Sequence, residues 1–325
     1  MAGLTKSIIA VNITVQALTK SWVSTFLKAY PDMKDRIWVV GENEMPPDPA
    51  FILFMYTRYE KIPMDLRRKI GCLIIDEAHL HCTIGKVPAL LSIMPKYVIA
   101  LSATLERNDG LESMMHSITG THKIERLSEN PFKMIKLKTG IKLEEEKGAL
   151  GMLNYSKFVN DQAECLERNL MAINIIHGNR DRKFMILCKT KEHVTNLEKL
   201  FKHYGMECTT YFGNKKSYKD AKILIGSLSK ISTGFDMSTA SEEFDGVDAD
   251  VLILMTTIKK EPLMKQTIGR VVGRAKNPTI VYFIDDNATQ KRHFNGTKKM
   301  IEEVKGEILT VDYISNVAGG GVVLT

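Results

Sequence analysis

Two adjacent carboxylates close an apolar run in Leu73-Ile74-Ile75-Asp76-Glu77-Ala78-His79. A buried strand that delivers two acids to a sheet edge is what hydrolysis of a magnesium-bound nucleotide needs. Asp76 would hold Mg2+ through its water shell, and Glu77 would orient and deprotonate the attacking water. The competing reading is a strand running into a solvated helix start, because Asp is also a good N-cap. The complete Asp-Glu-Ala-His tetrapeptide behind an apolar run favours the first reading. A second group, Ala100-Leu101-Ser102-Ala103-Thr104, also reads as a strand end. Ser102 and Thr104 could hydrogen-bond the acidic pair and pass its nucleotide state onward, although alone such a tripeptide reads as a helix cap. The third group is Gln266-Thr267-Ile268-Gly269-Arg270-Val271-Val272-Gly273-Arg274. Arg270 or Arg274 could stabilise charge on phosphoryl oxygens, with Gln266 anchoring the same interface, or this stretch is a basic helix facing solvent or nucleic-acid phosphate.

The elements that must position these groups are legible from apolar runs alternating with amphipathic stretches, the rhythm of an α/β fold with parallel strands and helical crossovers. Strands are predicted at Ser7 to Val11, Ile37 to Val40, Ala50 to Met55, Cys72 to Ile75 and Tyr97 to Leu101. Helices are predicted at Thr14 to Tyr30, Pro63 to Lys69 and Leu111 to Ile118. From Thr119 to Glu146 the chain turns basic and β-like, and a domain boundary is placed near Asn130, giving domains 1–129 and 130–325. The second half repeats the rhythm. Its helices are predicted at Asp161 to His177, Glu192 to His203 and Leu263 to Val271. Its strands are predicted at Phe184 to Cys188, Lys222 to Ile225, Asp250 to Met255 and Thr279 to Ile284. Two similar halves imply two sheets, and polar residues after a parallel strand fall at the carboxyl edge where open α/β sheets bind ligands.

The 325 residues suffice for two domains with their own cores. A formal charge of +7 and a pI near 9.0 favour polyanionic partners such as nucleic acid. The five cysteines are scattered without metal-ligand spacing, which predicts a reduced compartment and no structural metal. No apolar stretch is long enough for a signal peptide core or a membrane span, so a soluble, intracellular protein is expected.

Asp76-Glu77-Ala78-His79, Ser102-Ala103-Thr104, Gly234-Phe235-Asp236 and the Gln-x-x-Gly-Arg run resemble motifs II, III, V and VI of superfamily 2 helicases, in order. The stretch from Leu101 to Gly110 resembles one group within them, which contains XPB, the phage UvsW helicase and the poxvirus transcript-release helicase. The likeness extends over essentially the whole chain, with Asn12, Leu18 and Trp22 like motif Ia and its helix, Met55-Tyr56-Thr57 like the Thr-bearing strand end, and Ile186 to Thr190 like motif IV. The resemblance implies two tandem RecA-like lobes and an ATP- and Mg2+-dependent motor moving on nucleic acid, DNA rather than RNA. It implies Asp76, Glu77, Arg270 and Arg274 as catalytic, and His79, Ser102, Thr104, Gly234, Asp236 and Gln266 as coupling residues. Backbone phosphate contacts would come from Asn12, Thr57, Arg58, Thr190 and Ser227, giving salt-dependent binding with little base preference. It also points to a large DNA virus or phage as source, with action in the cytoplasm, the nucleus or a viral replication site.

Four departures stand out. The family's G-x-x-x-x-G-K-[ST] phosphate loop has no counterpart, since Gly3-Leu4-Thr5-Lys6-Ser7 leads straight into the motif Ia strand. Arg270 and Arg274 are four apart where three is usual, Ser227 replaces a threonine, and Leu105 replaces a proline. The expectation is an N-terminally truncated first lobe, or one piece of a split gene whose other product supplies the loop, with little ATP turnover by this chain alone. The rival expectation is a non-catalytic nucleic-acid-binding scaffold derived from a helicase.

Overall fold

The computed structural model describes residues 7–102, 112–124, 130–144, 146–147, 153–232 and 235–313. The chain divides into two compact units, Met1–Glu125 and Arg126–Thr325. Asn130 belongs to the second, where its side chain donates to the Val272 carbonyl at 3.0 Å.

The first unit is built on strands β1 (Ile8–Ile13), β2 (Ile37–Val39), β3 (Phe51–Met55), β4 (Ile70–Ile75) and β5 (Tyr97–Ala100). They form one parallel sheet in the order β2-β3-β1-β4-β5. Its central strands are apolar on both faces, as parallel strands covered on both sides must be. Ala10, Ile52, Phe54, Leu73 and Ile75 belong to one core, and Ile9, Val11, Leu53 and Cys72 to the other. The helix expected from Thr14 starts later, at Thr19–Ala29, after a 3-10 turn at Gln16–Leu18, and the β-branched run Ile13-Thr14-Val15 accounts for the delay. Phe26 fixes this helix on the sheet by stacking on Phe51 at 4.2 Å. β4 begins two residues earlier than expected, and Gly71 permits it: a Cβ there would meet Ser7 Cβ at 2.3 Å.

The second unit holds a seven-stranded parallel sheet. In chain order its strands are β6 (Phe132–Lys138), β7 (Phe184–Cys188), β8 (Thr209–Tyr211), β10 (Ile223–Ser227), β12 (Val251–Leu254), β13 (Thr279–Ile284) and β14 (Gly306–Asp312). The short strands β9 (Tyr218–Lys219) and β11 (Ser241–Glu242) pair separately. The sheet order is β14-β6-β13-β12-β7-β10-β8, with one apolar core on each face. The helix expected over Asp161 to His177 is two helices, Tyr155–Glu164 and Leu166–His177, because Cys165 adopts extended backbone (φ −67°, ψ 101°). The break is satisfied locally, since Asn169 and Asn196 both donate to the Ala163 carbonyl.

A buried polar hub ties these layers together. Asp285, just past β13, accepts from Thr139 Oγ1 (2.8 Å), Gln162 Nε2 (2.5 Å), Gln290 Nε2 (2.9 Å) and Arg168 Nε (3.0 Å). Burial opposes its ionised form, but Arg168 and these donors keep the carboxyl below its ordinary range. The terminal nitrogens of Arg168 are buried without a hydrogen-bond partner among the described residues. Asp285→Ala would strand that charge and is expected to cost about 3–5 kcal/mol in denaturant unfolding. Replacing Arg168 and Asp285 together by Met and Leu should recover most of the loss, and no recovery would mean that packing rather than charge explains it.

Two buried histidines add an acid-sensitive component. His193 lies 2.9 Å from Asn169 Oδ1, and burial, with Arg168 nearby, lowers its pKa to about 3. Burial, Lys86 and His79 lower that of His81 to about 4. Both are held neutral in the fold, so their stabilising effect is complete above the ordinary value of 6.5 and is lost as pH falls toward the folded values. Stability should therefore fall on acidification from pH ~6.5, by roughly 3 kcal/mol at pH ~4.5 from His193 alone. His193→Gln should flatten this dependence in unfolding measured across that range. An unchanged slope would remove His193 from the explanation.

Candidate functional site

The carboxyl edge of the first sheet gathers the acidic pair and its neighbours. Asp76 comes directly after β4, and its backbone N–H donates to the Asn12 carbonyl at 3.0 Å, which fixes the strand end. Its carboxylate Oδ2 accepts from Trp22 Nε1 at 3.0 Å. Glu77 has left-handed backbone (φ 48°, ψ 52°), a conformation uncommon outside glycine, and caps the short helix Ala78–His81. That turn ends the strand and starts the short helix directly after the acidic pair. Ala78 N–H donates to the Leu101 carbonyl, and Leu101 N–H to Ile75, which brings the end of β5 beside that of β4. His79 Nδ1 consequently stands 2.9 Å from Ser102 Oγ and 3.5 Å from Glu77 Oε2.

Thr57 and Arg58 sit in the 3-10 turn Tyr56–Lys61 after β3, on the same edge. Thr57 is exposed, whereas Arg58 Nη1 is committed to the Val40 carbonyl at 3.1 Å. Asn12 is placed differently from a surface contact. It is 0% exposed within β1, and neither side-chain polar atom has a partner among the described residues, so the amide does not face solvent in this structure. Thr104 lies outside the described residues, as does Gly234.

The second unit presents a basic cavity at its own carboxyl edge. Three neighbouring strands, β7, β10 and β8, end beside a cavity of about 420 Å3 where Lys189, Lys191 and Lys230 outnumber a single acid, Glu192, with Thr190, Gly213 and Ser227 also in the lining. Thr190 caps the 13-residue helix Lys191–His203, its hydroxyl accepting from His193 N–H, so a helix N-terminus opens into the cavity. Among the described residues none of the three lysines pairs with a carboxylate. Unpaired ammonium groups at a helix start favour an anion. Thr190 and Ser227 were legible in the sequence. The lysines and Gly213 were not, because only the adjacency of β7, β10 and β8 makes them neighbours.

The two motif arginines have separate attachments. Arg270, on the helix Glu261–Val272 with Gln266, donates to the carbonyls of Phe235 (2.7 Å) and Ser232 (2.9 Å). Arg274, exposed just beyond that helix, pairs with Asp236 (2.7 Å) and Asp248 (3.5 Å). Burial opposes the ionised Asp236, but Arg274 and Ser238 outweigh it and hold its pKa at about 2.

The donor set suits magnesium more than a protein-caged metal. No cluster of three or more His, Cys, Asp or Glu exists among the described residues, while Asp76 offers one oriented carboxylate, which fits an ion held mainly by water and phosphate.

No family model matches the chain. It is 29% identical over 268 residues to the helicase-named protein 161L of Invertebrate iridescent virus 6, covering 76% of this chain and 58% of that protein. It is 26% identical over 292 residues to the helicase-named protein 055L of Frog virus 3, covering 86% and 63%. The chain thus spans about three fifths of the length of these relatives. Among solved structures, S. cerevisiae Dbp5 L327V bound to RNA and ADP BeF3 superposes with a TM-score of 0.64 over 94% of this chain and 78% of that one, at 13% identity. Two parallel sheets flanked by helices, matched by that structure, define a two-lobed α/β fold of the RecA-like kind. The chain is thus similar, over most of its length, to helicase-named proteins of large DNA viruses, and its fold is that of the helicase-like RecA pair.

Among the described residues no helix is long and apolar enough to cross a membrane.

Proposed function

We propose that the protein is an ATP-dependent helicase or translocase that couples hydrolysis to movement along a nucleic-acid strand. The observation that carries this reading is the edge of the first sheet, where Asp76, oriented by Trp22, and Glu77, on a left-handed turn, stand beside His79 and Ser102. Asp76 would hold Mg2+ through its water shell, and Glu77 would take the proton of the attacking water. Mg2+, when bound with ATP, neutralises charge on the phosphates. The His79 and Ser102 pair links the acidic turn to the end of β5, so a change at Glu77 is felt there. We assign the grip on the phosphates, through backbone amides and a lysine, to a G-x-x-x-x-G-K-[ST] segment supplied as a separate fragment.

Arg274 is assigned the charge-stabilising role at the transferring phosphoryl group. Its side chain is partly exposed and held by carboxylates that a phosphate can replace, whereas Arg270 is spent on two backbone carbonyls. The cavity beside Thr190 and Ser227 takes a backbone phosphate of the strand, with Thr57 as a contact on the first unit. DNA is our preferred substrate, from the resemblance of the Leu101 to Gly110 stretch, and RNA is the comparator because Dbp5 was solved with it.

Lys189→Gln and Lys191→Gln should each weaken binding similarly for unrelated sequences and lower the dependence of log affinity on log salt by about one. Fluorescence anisotropy across a salt series checks this, and an unchanged slope in both variants would remove the cavity from the strand path. The reading as a motor is tested by displacement of streptavidin from biotinylated single strands, with the phosphate-loop segment present. ATP-dependent displacement from DNA is expected. Tight binding without displacement from DNA or RNA under any nucleotide would favour the non-catalytic scaffold.

A further inference from the structure

We infer that Trp22 is a positioning residue for Asp76, fixing the carboxylate that meets the metal. The inference rests on the proposed role of Asp76. Trp22 lies on the face of the helix Thr19–Ala29 that packs against the core of Ile9, Val11, Leu53 and Cys72, one turn before Phe26 with its stack on Phe51. Its ring is therefore anchored in apolar surroundings, while its single donor emerges at the sheet edge and meets Asp76 Oδ2 at 3.0 Å. A large rigid ring with one polar handle suits this task, since it confines the partner at little entropic cost. A carboxylate just past a strand end otherwise rotates freely. A donor on one oxygen fixes the plane of the group and directs its remaining lone pairs, as partners outside the ligand set do at metal sites. In a merely structural role the indole would contribute packing alone, and the state of Asp76 would be invisible to it.

The chain has two tryptophans, Trp22 and Trp38, so Trp38→Phe leaves Trp22 as sole reporter. In that background Asp76→Asn should shift Trp22 emission without any metal. With ADP and the phosphate-loop segment present in each titration, Mn2+ should quench Trp22 saturably, and Asp76→Asn should abolish the saturable part. Independently, Trp22→Phe, which keeps a ring in the core, should weaken Mn2+ binding measured by electron paramagnetic resonance by about tenfold while leaving thermal unfolding within a few degrees. Unchanged emission in Asp76→Asn would overturn the inference, as would unchanged Mn2+ affinity in Trp22→Phe. Absence of Mn2+ binding by the parent chain would overturn it together with the metal role of Asp76. Absence of ATP hydrolysis with Mn2+ binding and quenching intact would instead count against the proposed motor and leave the Trp22 role standing.

Discussion

Glu77→Gln is expected to lower nucleic-acid-stimulated ATP hydrolysis by about 10^2–10^4-fold, the range associated with removing a positioned general base. The substitution keeps shape and length, so the left-handed backbone at residue 77 carries no new strain and the bond between Ala78 N–H and Leu101 is preserved. What changes is the ability to take a proton, together with the weak attraction to His79 at 3.5 Å. Binding of single strands should stay within a factor of about two, because the proposed phosphate contacts lie on other strand ends. Phosphate release and anisotropy on the same preparations check both halves. A variant that lost binding in parallel with turnover would point to misfolding of the edge instead.

The second large effect concerns the arginines. Arg274→Ala should reduce turnover by about 10^3-fold or more, the scale associated with an arginine finger, with thermal stability little altered. Arg274→Lys should restore only part of it, because an ammonium cannot reproduce a planar two-pronged contact. Arg270→Ala should behave differently, costing roughly 1–3 kcal/mol of stability as the carbonyls of Ser232 and Phe235 lose a charged donor. Equal losses of turnover in the two alanine variants at unchanged stability would contradict the division of labour. The Arg274 and Asp236 pair persists down to the low pKa of Asp236, near 2, so exchange of Asp236 for phosphate is not driven by ordinary acidification.

Most of this architecture could be read from the sequence, because parallel strands buried on both faces leave continuous apolar runs. Phe184–Cys188 and Thr279–Ile284 were located to the residue on that ground. Gly306–Asp312 was missed because as an edge strand it is mostly exposed and carries no such run, and Ala288–Glu303 because its apolar stripe is thin. Its start was nevertheless written in Asn287 and Gln290, whose cap bond measures 3.0 Å. The break at Cys165 depends on amides from Asn169 and Asn196, which no local pattern announces. In the candidate site, strand-end residues such as Asp76, Glu77, Ser102 and Thr190 were legible because each parallel strand delivers its next few residues to one edge. Asn12, inside β1, showed the limit of that logic, since its likeness to a surface contact says nothing of burial. Trp22 was hidden for the opposite reason: it fits a helical apolar stripe, and only the fold reveals where its N–H points.

The most direct test is a side-by-side measurement of phosphate release by the parent protein and Glu77→Gln, each with the phosphate-loop segment and saturating single-stranded DNA. The account predicts strand-stimulated release by the parent, near-background release by the variant, and equal strand affinity for both. Equal release by the two proteins, or none by either while both bind the strand, would contradict it.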